Sequence, residues 1–243
     1  MRSGLWAILV DRPARGMDDG YVTPTSVFNG CYDANRAAAL SGVPKSTIYW
    51  WARQGIVVPS VSPVQEKLWS FGDLMTLRIV HWLRHEKAGA DIKASPMPMV
   101  RQALALLDEY DLDLWDAAEG RSPILVDPRG RIFVRLHEDV VDLHGAHALP
   151  KLQTWGLTEA FTIDGEVKGP DLLAPRANLR IIPGKVSGEP HVVDTRITSL
   201  ALASLSRDGF STGQIAAMYD LSEHVVDDAV SLEKQLGTLE FAA

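Results

Sequence analysis

One cysteine, Cys31, in a chain of 243 residues excludes an internal disulfide and points to a reducing compartment. No apolar run approaches the roughly 20 residues that a membrane-crossing helix needs. The apolar stretch at 5–10 stops at Asp11-Arg12, too short for a signal-peptide core, and reads as an irregular leader or a short strand within a leader region over 1–30, with Met17 as a second candidate start. A Gly-Lys-Ser/Thr phosphate loop and a Gly-x-Ser-x-Gly elbow are both missing, and Cys31 has no base beside it. His81 and His85 stand at i, i+4, but without the internal Glu of a zinc-protease helix or a third ligand. The cluster Asp142-Leu143-His144-Gly145-Ala146-His147 reads as a polar loop. These absences predict a cytoplasmic protein that is not an enzyme, needs no cofactor or metal, and does not enter a membrane.

What is present is an ordinary globular composition, 46% hydrophobic and 23% charged, with the charge unevenly spread. The net charge is −7. Yet residues 31–90 carry seven cations (Arg36, Lys45, Arg53, Lys67, Arg78, Arg84, Lys87) against four acids (Asp33, Glu66, Asp73, Glu86). An early segment can face phosphate; the acidic remainder cannot.

Periodicity and punctuation predict a mainly α chain with small β elements, an α+β fold. After the leader come a helical head over 31–110, a middle α/β region over 111–177, and a C-terminal unit over 178–243. In the head, the Ala-rich run 33–40, the turn Ser41-Gly42-Val43-Pro44 and the run 45–54 predict two short helices joined tightly, the geometry of a helix-turn-helix. Ile48, Trp51 and Ala52 should pack inward, while Ser46, Tyr49, Trp50 and Arg53 share another face. That face offers hydroxyls, an indole N–H and a guanidinium to phosphates and base edges. Ile56-Val57-Val58 and Lys67-Leu68-Trp69 bracket a Pro/Ser-rich tip shaped like a wing. Ser70 and Asp73 form a capping box that opens a helix striped by Phe71, Met75, Ile79 and Trp82. A helix is expected at 100–109, with Val100, Leu104 and Leu107 on one side. The triplets Ile124-Leu125-Val126 and Ile132-Phe133-Val134 flank a turn and predict a hairpin, while 164–176 reads as a connection.

The head resembles the DNA-binding domain of MerR-type regulators. The resemblance rests on Leu40-Ser41-Gly42-Val43, Thr47-Ile48, Trp50-Trp51, Arg53-Gln54-Gly55, Ile56-Val57 and the wing exit Lys67-Leu68-Trp69-Ser70-Phe71. It implies a winged helix-turn-helix in which Lys45, Ser46, Thr47, Tyr49, Trp50, Arg53 and Lys67 meet DNA, with Trp50 and Arg53 on the backbone and Tyr49 near base edges. Tyr49 stands where an Arg is usual, and Pro44 where a capping Ser is.

The C-terminal unit should hold a short strand pair, 180–182 with 191–193, and then three helices. Ser211 with Gln214 and Ser222 are the expected caps. From Arg196 to Leu236 three cations stand against six acids, so these helices should repel phosphate. Residues 180–235 resemble a small domain of uncharacterised function common in VapB-type antitoxins. Gly188-Glu189-Pro190, Thr195-Arg196-Ile197, Gly209-Phe210-Ser211, Ile215 and Tyr219 carry that likeness, and Asp194 replaces a usual Gly. Gly188, Pro190, Thr195, Arg196 and Ile197 would then form a structural, dimer or partner surface. The combined resemblance implies an antitoxin of a type II toxin–antitoxin system. Such a protein binds operator DNA as a homodimeric autorepressor and blocks a PIN-type ribonuclease toxin. Two rivals are a stand-alone MerR-like regulator whose middle region, with Trp115, Trp155 and Phe161, holds a small ligand, and a protein-interaction scaffold that binds no DNA.

Overall fold

The computed structural model describes residues 29–85, 91–110, 112, 114, 122–137, 139–147, 152–153, 156–163 and 166–237, without side chains for 161–168. Nearly all of the expected leader, together with Trp115 and Trp155, lies outside the described residues. Among those described, seven α-helices and three small antiparallel sheets make an α+β fold.

Helix α1 (Ala34–Ser41) starts where Asp33 accepts a hydrogen bond from the Arg36 amide, and it ends at Gly42, whose φ of 74° suits glycine. Helix α2 (Lys45–Arg53) follows after two residues and buries Ile48 and Trp51, with Ala52 half-buried. Helix α3 (Phe71–Arg84) opens with the Ser70–Asp73 capping box, both reciprocal bonds present. Its stripe is buried at Phe71, Met75 and Ile79 and partly buried at Trp82. Helix α4 (Met97–Glu109) begins three residues before the expected start, because Pro98 fits the first turn, where its missing N–H costs nothing.

The loop between α2 and α3 departs from the sequence reading. Ile56-Val57-Val58 does not pair with Lys67-Leu68-Trp69; Ser62 bridges Leu68 instead, and Trp69 exchanges two 2.9 Å backbone bonds with Tyr32. Pro59 and Pro63 remove donors that a longer ladder would need.

In the middle region β1 (Ile124–Val126) and β2 (Ile132–Leu136) form the expected hairpin. The Asp127 carboxylate accepts from the Arg129 and Arg131 amides across its turn. A third strand, β3 (Asp139–Asp142), extends the sheet on the far side of β2. The stretch 164–176, expected to be a mere connection, contributes a strand: β5 (Glu166–Gly169) pairs antiparallel with β4 (Phe161–Ile163), which lies just ahead of it. Strands of three and four residues are too short to display a readable alternation.

The C-terminal unit pairs β6 (Leu179–Arg180) with β7 (His191–Val192), then stacks α5 (Ser199–Arg207), α6 (Thr212–Tyr219) and α7 (Glu223–Leu236). Ser211 and Gln214 form the expected capping box. Ser222 holds the N-cap position of α7, but its hydroxyl faces His224 Nε2 at 3.3 Å and caps nothing.

Two apolar clusters result. One joins the head to the middle region, from Tyr32, Leu40 and Ile48 through Leu77 to Val126, Val134, Leu157 and Leu172. The other gathers Leu179, Val192, Leu202, Ile215, Val226 and Leu232, and Leu236 packs against both. Arg78, fully buried, ties the first cluster together by donating to the carbonyls of Leu40, Leu157, Thr158, Glu159 and Pro170. Burial pulls its pKa down to about 9, with Asp171 opposing, so the guanidinium stays charged near neutral pH among carbonyl dipoles.

Candidate nucleic-acid interface

Because Ile48 and Trp51 anchor one side of α2 in the core, its other side is turned outward. Lys45, Ser46 and Arg53 are exposed, and Trp50 keeps 45% of its surface open, unusual for so large an apolar group. Thr47 is half-buried. Tyr49 is less free than its spacing implies: it is half-buried and packs edge-on against Trp69, ring centres 6.0 Å apart. Lys67 is half-buried and donates its ammonium to the Pro63 carbonyl at 2.5 Å. The structure thus gathers Lys45, Ser46, Thr47, Trp50 and Arg53 along one short helix, while Tyr49 and Lys67 are partly spent on packing and loop closure. Pro44 stands at the N-cap and offers no side-chain acceptor, so the first N–H groups of α2 point out uncapped. That end favours an anion.

The electrostatics differ from the sequence count in an instructive way. Arg36 and Arg78 contribute to the excess of positive charge over 31–90, yet both are buried. Arg36 crosses to the C-terminal unit, with Nη1 2.7 Å from Glu233 and Nη2 2.7 Å from Glu189. Burial would lower the Arg36 pKa, but the bond and charge of Glu233 and the charge of Glu189 outweigh it and raise the value. Glu233 also accepts from the Ser199 hydroxyl, so one cation of the head count and one acid of the C-terminal count cancel inside the molecule. On α7 Asp228 is taken up by Asn178, which leaves Glu223 and Asp227 as the exposed acids of that helix. Lys45, Arg53 and Arg84 remain the exposed cations of the described head residues that belong to or flank α2.

Two cavities border the start of α2, with Pro44 lining both. The larger, about 1020 Å³, lies between the head and the end of α7 and is lined by Arg36 and Lys45 but also by Asp33 and Glu189. The smaller, about 580 Å³, is an open depression bordered by α2, the end of α3 and Met97. Its Arg84 and His85 were not picked out by sequence reasoning as binding residues; the histidine spacing was visible, but only as a metal question. Among the described residues no group of three or more His, Cys, Asp or Glu side chains converges as a metal site would require. No helix there is long and apolar enough to cross a membrane.

The C-terminal motif residues are explained by internal geometry. Gly188 has φ 81°, and a Cβ there would sit 2.1 Å from the Tyr32 hydroxyl, which instead donates to the Gly188 carbonyl at 2.8 Å. Pro190 is buried and its carbonyl accepts from the Ser199 amide. The Thr195 hydroxyl bonds the Val192 carbonyl and the Ile197 amide, holding the turn. Arg196 is exposed. Asp194, standing where a Gly is usual, adopts φ 59°.

Residues 180–231 match a family described as a protein of unknown function, DUF433, within the 180–235 segment singled out by its pattern. Among solved structures, the crystal structure of Rv2018 from Mycobacterium tuberculosis aligns with 82% of this chain and 96% of its own, at 19% identity and a TM-score of 0.44. Likeness at that level leaves fold and role to be argued from this chain's own residues. Curated protein sequences give no match.

Proposed function

We propose that this chain is an antitoxin-type repressor: a homodimer whose winged helix-turn-helix heads bind operator DNA and whose C-terminal unit blocks a PIN-type ribonuclease toxin. The observation that carries the DNA half is the outward side of α2, where Trp50, 45% exposed, stands on the same short helix as Lys45, Ser46 and Arg53 at an uncapped N-terminus. The toxin half rests on the pattern over 180–235 and on exposed apolar groups of the C-terminal unit. Phe210, Met218 and Tyr219 are open to solvent, with Asp208, Asp220 and Glu223 also exposed nearby in sequence. Apolar groups rimmed by acids suit a protein partner with a basic surface better than they suit DNA.

The test of the DNA half is binding to the chain's own upstream region over a salt series. Affinity should fall steeply with salt, by roughly 0.9 log units per log unit of salt for each neutralised phosphate. Arg53→Ala and Lys45→Ala should each weaken binding and flatten the slope by about one. A flat response in the unaltered protein would remove the DNA reading and favour a scaffold. The toxin half is tested by co-expression with a neighbouring PIN-type reading frame; persistent ribonuclease toxicity would remove it.

A further inference from the structure

The smaller cavity beside α2 has a chemistry unlike its larger neighbour. On one side is the open indole of Trp50, flanked by the hydroxyls of Ser46 and Thr47. On the other, at the end of α3, Arg84 and His85 stand exposed. Arg84 spends Nη1 on the Ser95 carbonyl at 2.7 Å and, among the described residues, has no carboxylate partner. The His85 ring is fixed by its Nδ1, which donates to the His81 carbonyl at 2.7 Å, and in the neutral ring this leaves Nε2 to accept. Behind it, the His81 and His85 rings lie 4.0 Å apart and Trp51 backs His81 at 6.4 Å, so the wall is made of flat rings. No acid lines the cavity among the described residues, whereas the larger cavity has two. At about 580 Å³ it falls in the range of small-ligand sites, roughly 300–1,000 Å³.

We propose that this cavity binds a small planar aromatic anion, its ring against Trp50 and its acid group on the Arg84 guanidinium. Flat aromatic surface selects the ring. A guanidinium with no carboxylate partner among the described residues, with hydroxyls lining the same cavity, selects the negative group, and the lack of acids among the described lining residues removes repulsion. Because Ser46, Thr47 and Trp50 also belong to the proposed DNA face, ligand and DNA exclude one another; this second consequence rests on the DNA reading above, while the binding site itself does not.

The test uses the full chain and calorimetric titration with salicylate and with adenosine monophosphate, two sources of the same ring-plus-anion chemistry. Cyclohexanecarboxylate, charged but not planar, and benzamide, planar but uncharged, serve as controls. At least one aromatic anion should bind at least about tenfold more tightly than both controls, and Arg84→Gln should weaken it by about tenfold, the scale of one charge-assisted contact. Trp50→Leu, an exposed position that packing does not depend on, should do the same, with circular dichroism verifying that both variants remain folded. Equal binding of anion and controls, no binding of either anion, or indifference to both substitutions would overturn the assignment. Labelled duplex DNA is titrated separately. If the anion binds and DNA does not, the cavity assignment stands and the DNA reading falls. If both bind, the anion should shift the DNA titration in the unaltered protein and not in Arg84→Gln; independent binding would overturn the exclusion.

Discussion

Arg36 shows how a residue can mean one thing in a charge count and another in a fold. Its Nη1 and Nη2 grip the two Glu233 oxygens, and Nε reaches Glu189 at 2.9 Å, all at side-chain exposures of 7% for Arg36 and 0% for Glu233. Removing one partner strands the other's charge in the interior, a loss of about 3–5 kcal/mol. Arg36→Met should therefore lower the urea midpoint of unfolding by that equivalent, and Glu233→Met by a similar amount. The double replacement should recover most of the loss, since Glu189 is 24% exposed at its side chain and can rehydrate. Single variants that unfold with the unaltered protein would show that the pair is not buried in solution. His81 supplies a second residue-scale prediction. Burial, with help from His85, lowers its pKa to about 4, well under the ordinary 6.5. The folded state therefore resists a proton that the unfolded chain accepts. Stability is intact above pH 6.5 and declines as pH falls toward 4, with a slope of at most about 1.4 kcal/mol per pH unit from this group. Asp127 and Asp142, whose pKa values are lowered, also lose stabilisation in acid, so the readout is a difference. The stability of His81→Gln should fall less between pH 7 and 4.5 than that of the unaltered protein; parallel curves would contradict the assignment.

At the scale of elements, helix starts separate into those that a local signal explains and those that it does not. The Ser70 hydroxyl accepts from the Asp73 amide while Asp73 reaches back to the Ser70 amide at 2.8 Å. Ser70→Ala should cost about 1 kcal/mol in denaturant unfolding. Ser222 occupies the same position on α7 but has Val225 where Ser70 has Asp73; it caps nothing, and Ser222→Ala should change stability by less than about 0.5 kcal/mol. Equal losses at the two serines would mean that position alone, rather than the bond, carries the effect. The contrast marks what was legible. Capping boxes, the 124–134 hairpin and the helix stripes rest on neighbours within a turn or two, and all three can be read from spacing. The β4–β5 pair, the Tyr32–Trp69 bridge and the carbonyl cage around Arg78 join residues 37 to 92 positions apart or strands too short to alternate, so no local pattern announces them. The candidate site divides the same way. The outward side of α2 follows from its 3.6-residue period, but the half-burial of Tyr49 depends on Trp69, and the cavity depends on the end of α3 lying across from α2.

At the scale of the whole molecule, two apolar clusters with nothing between them would melt separately, yet four contacts sew these two together. Tyr32 donates to Gly188, Cys31 donates its amide to the Ser187 carbonyl at 2.9 Å, Arg36 reaches Glu189 and Glu233, and Leu236 touches both cores. Three of these converge on residues 187–189, where the backbone turns through positive φ at Val186, Ser187 and Gly188. Gly188 is the tightest point: any side chain there meets the Tyr32 ring and hydroxyl, and its φ of 81° already disfavours a Cβ. The unaltered chain should therefore unfold with the head and C-terminal unit together, and the amides of α1 and α5–α7 should exchange with one common protection factor. Gly188→Ala forces residues 186–189 off the head and with them the Glu189 and Tyr32 bonds. The C-terminal unit should then exchange faster than the head, and calorimetry should resolve two transitions where there was one. Tyr32→Phe in the Gly188→Ala background relieves the shortest clash, 2.1 Å, but leaves the ring carbon 2.8 Å away, so it should restore coupling only in part. Two transitions in the unaltered protein, or a single unchanged one in Gly188→Ala, would mean that the clusters are held together by something other than this seam.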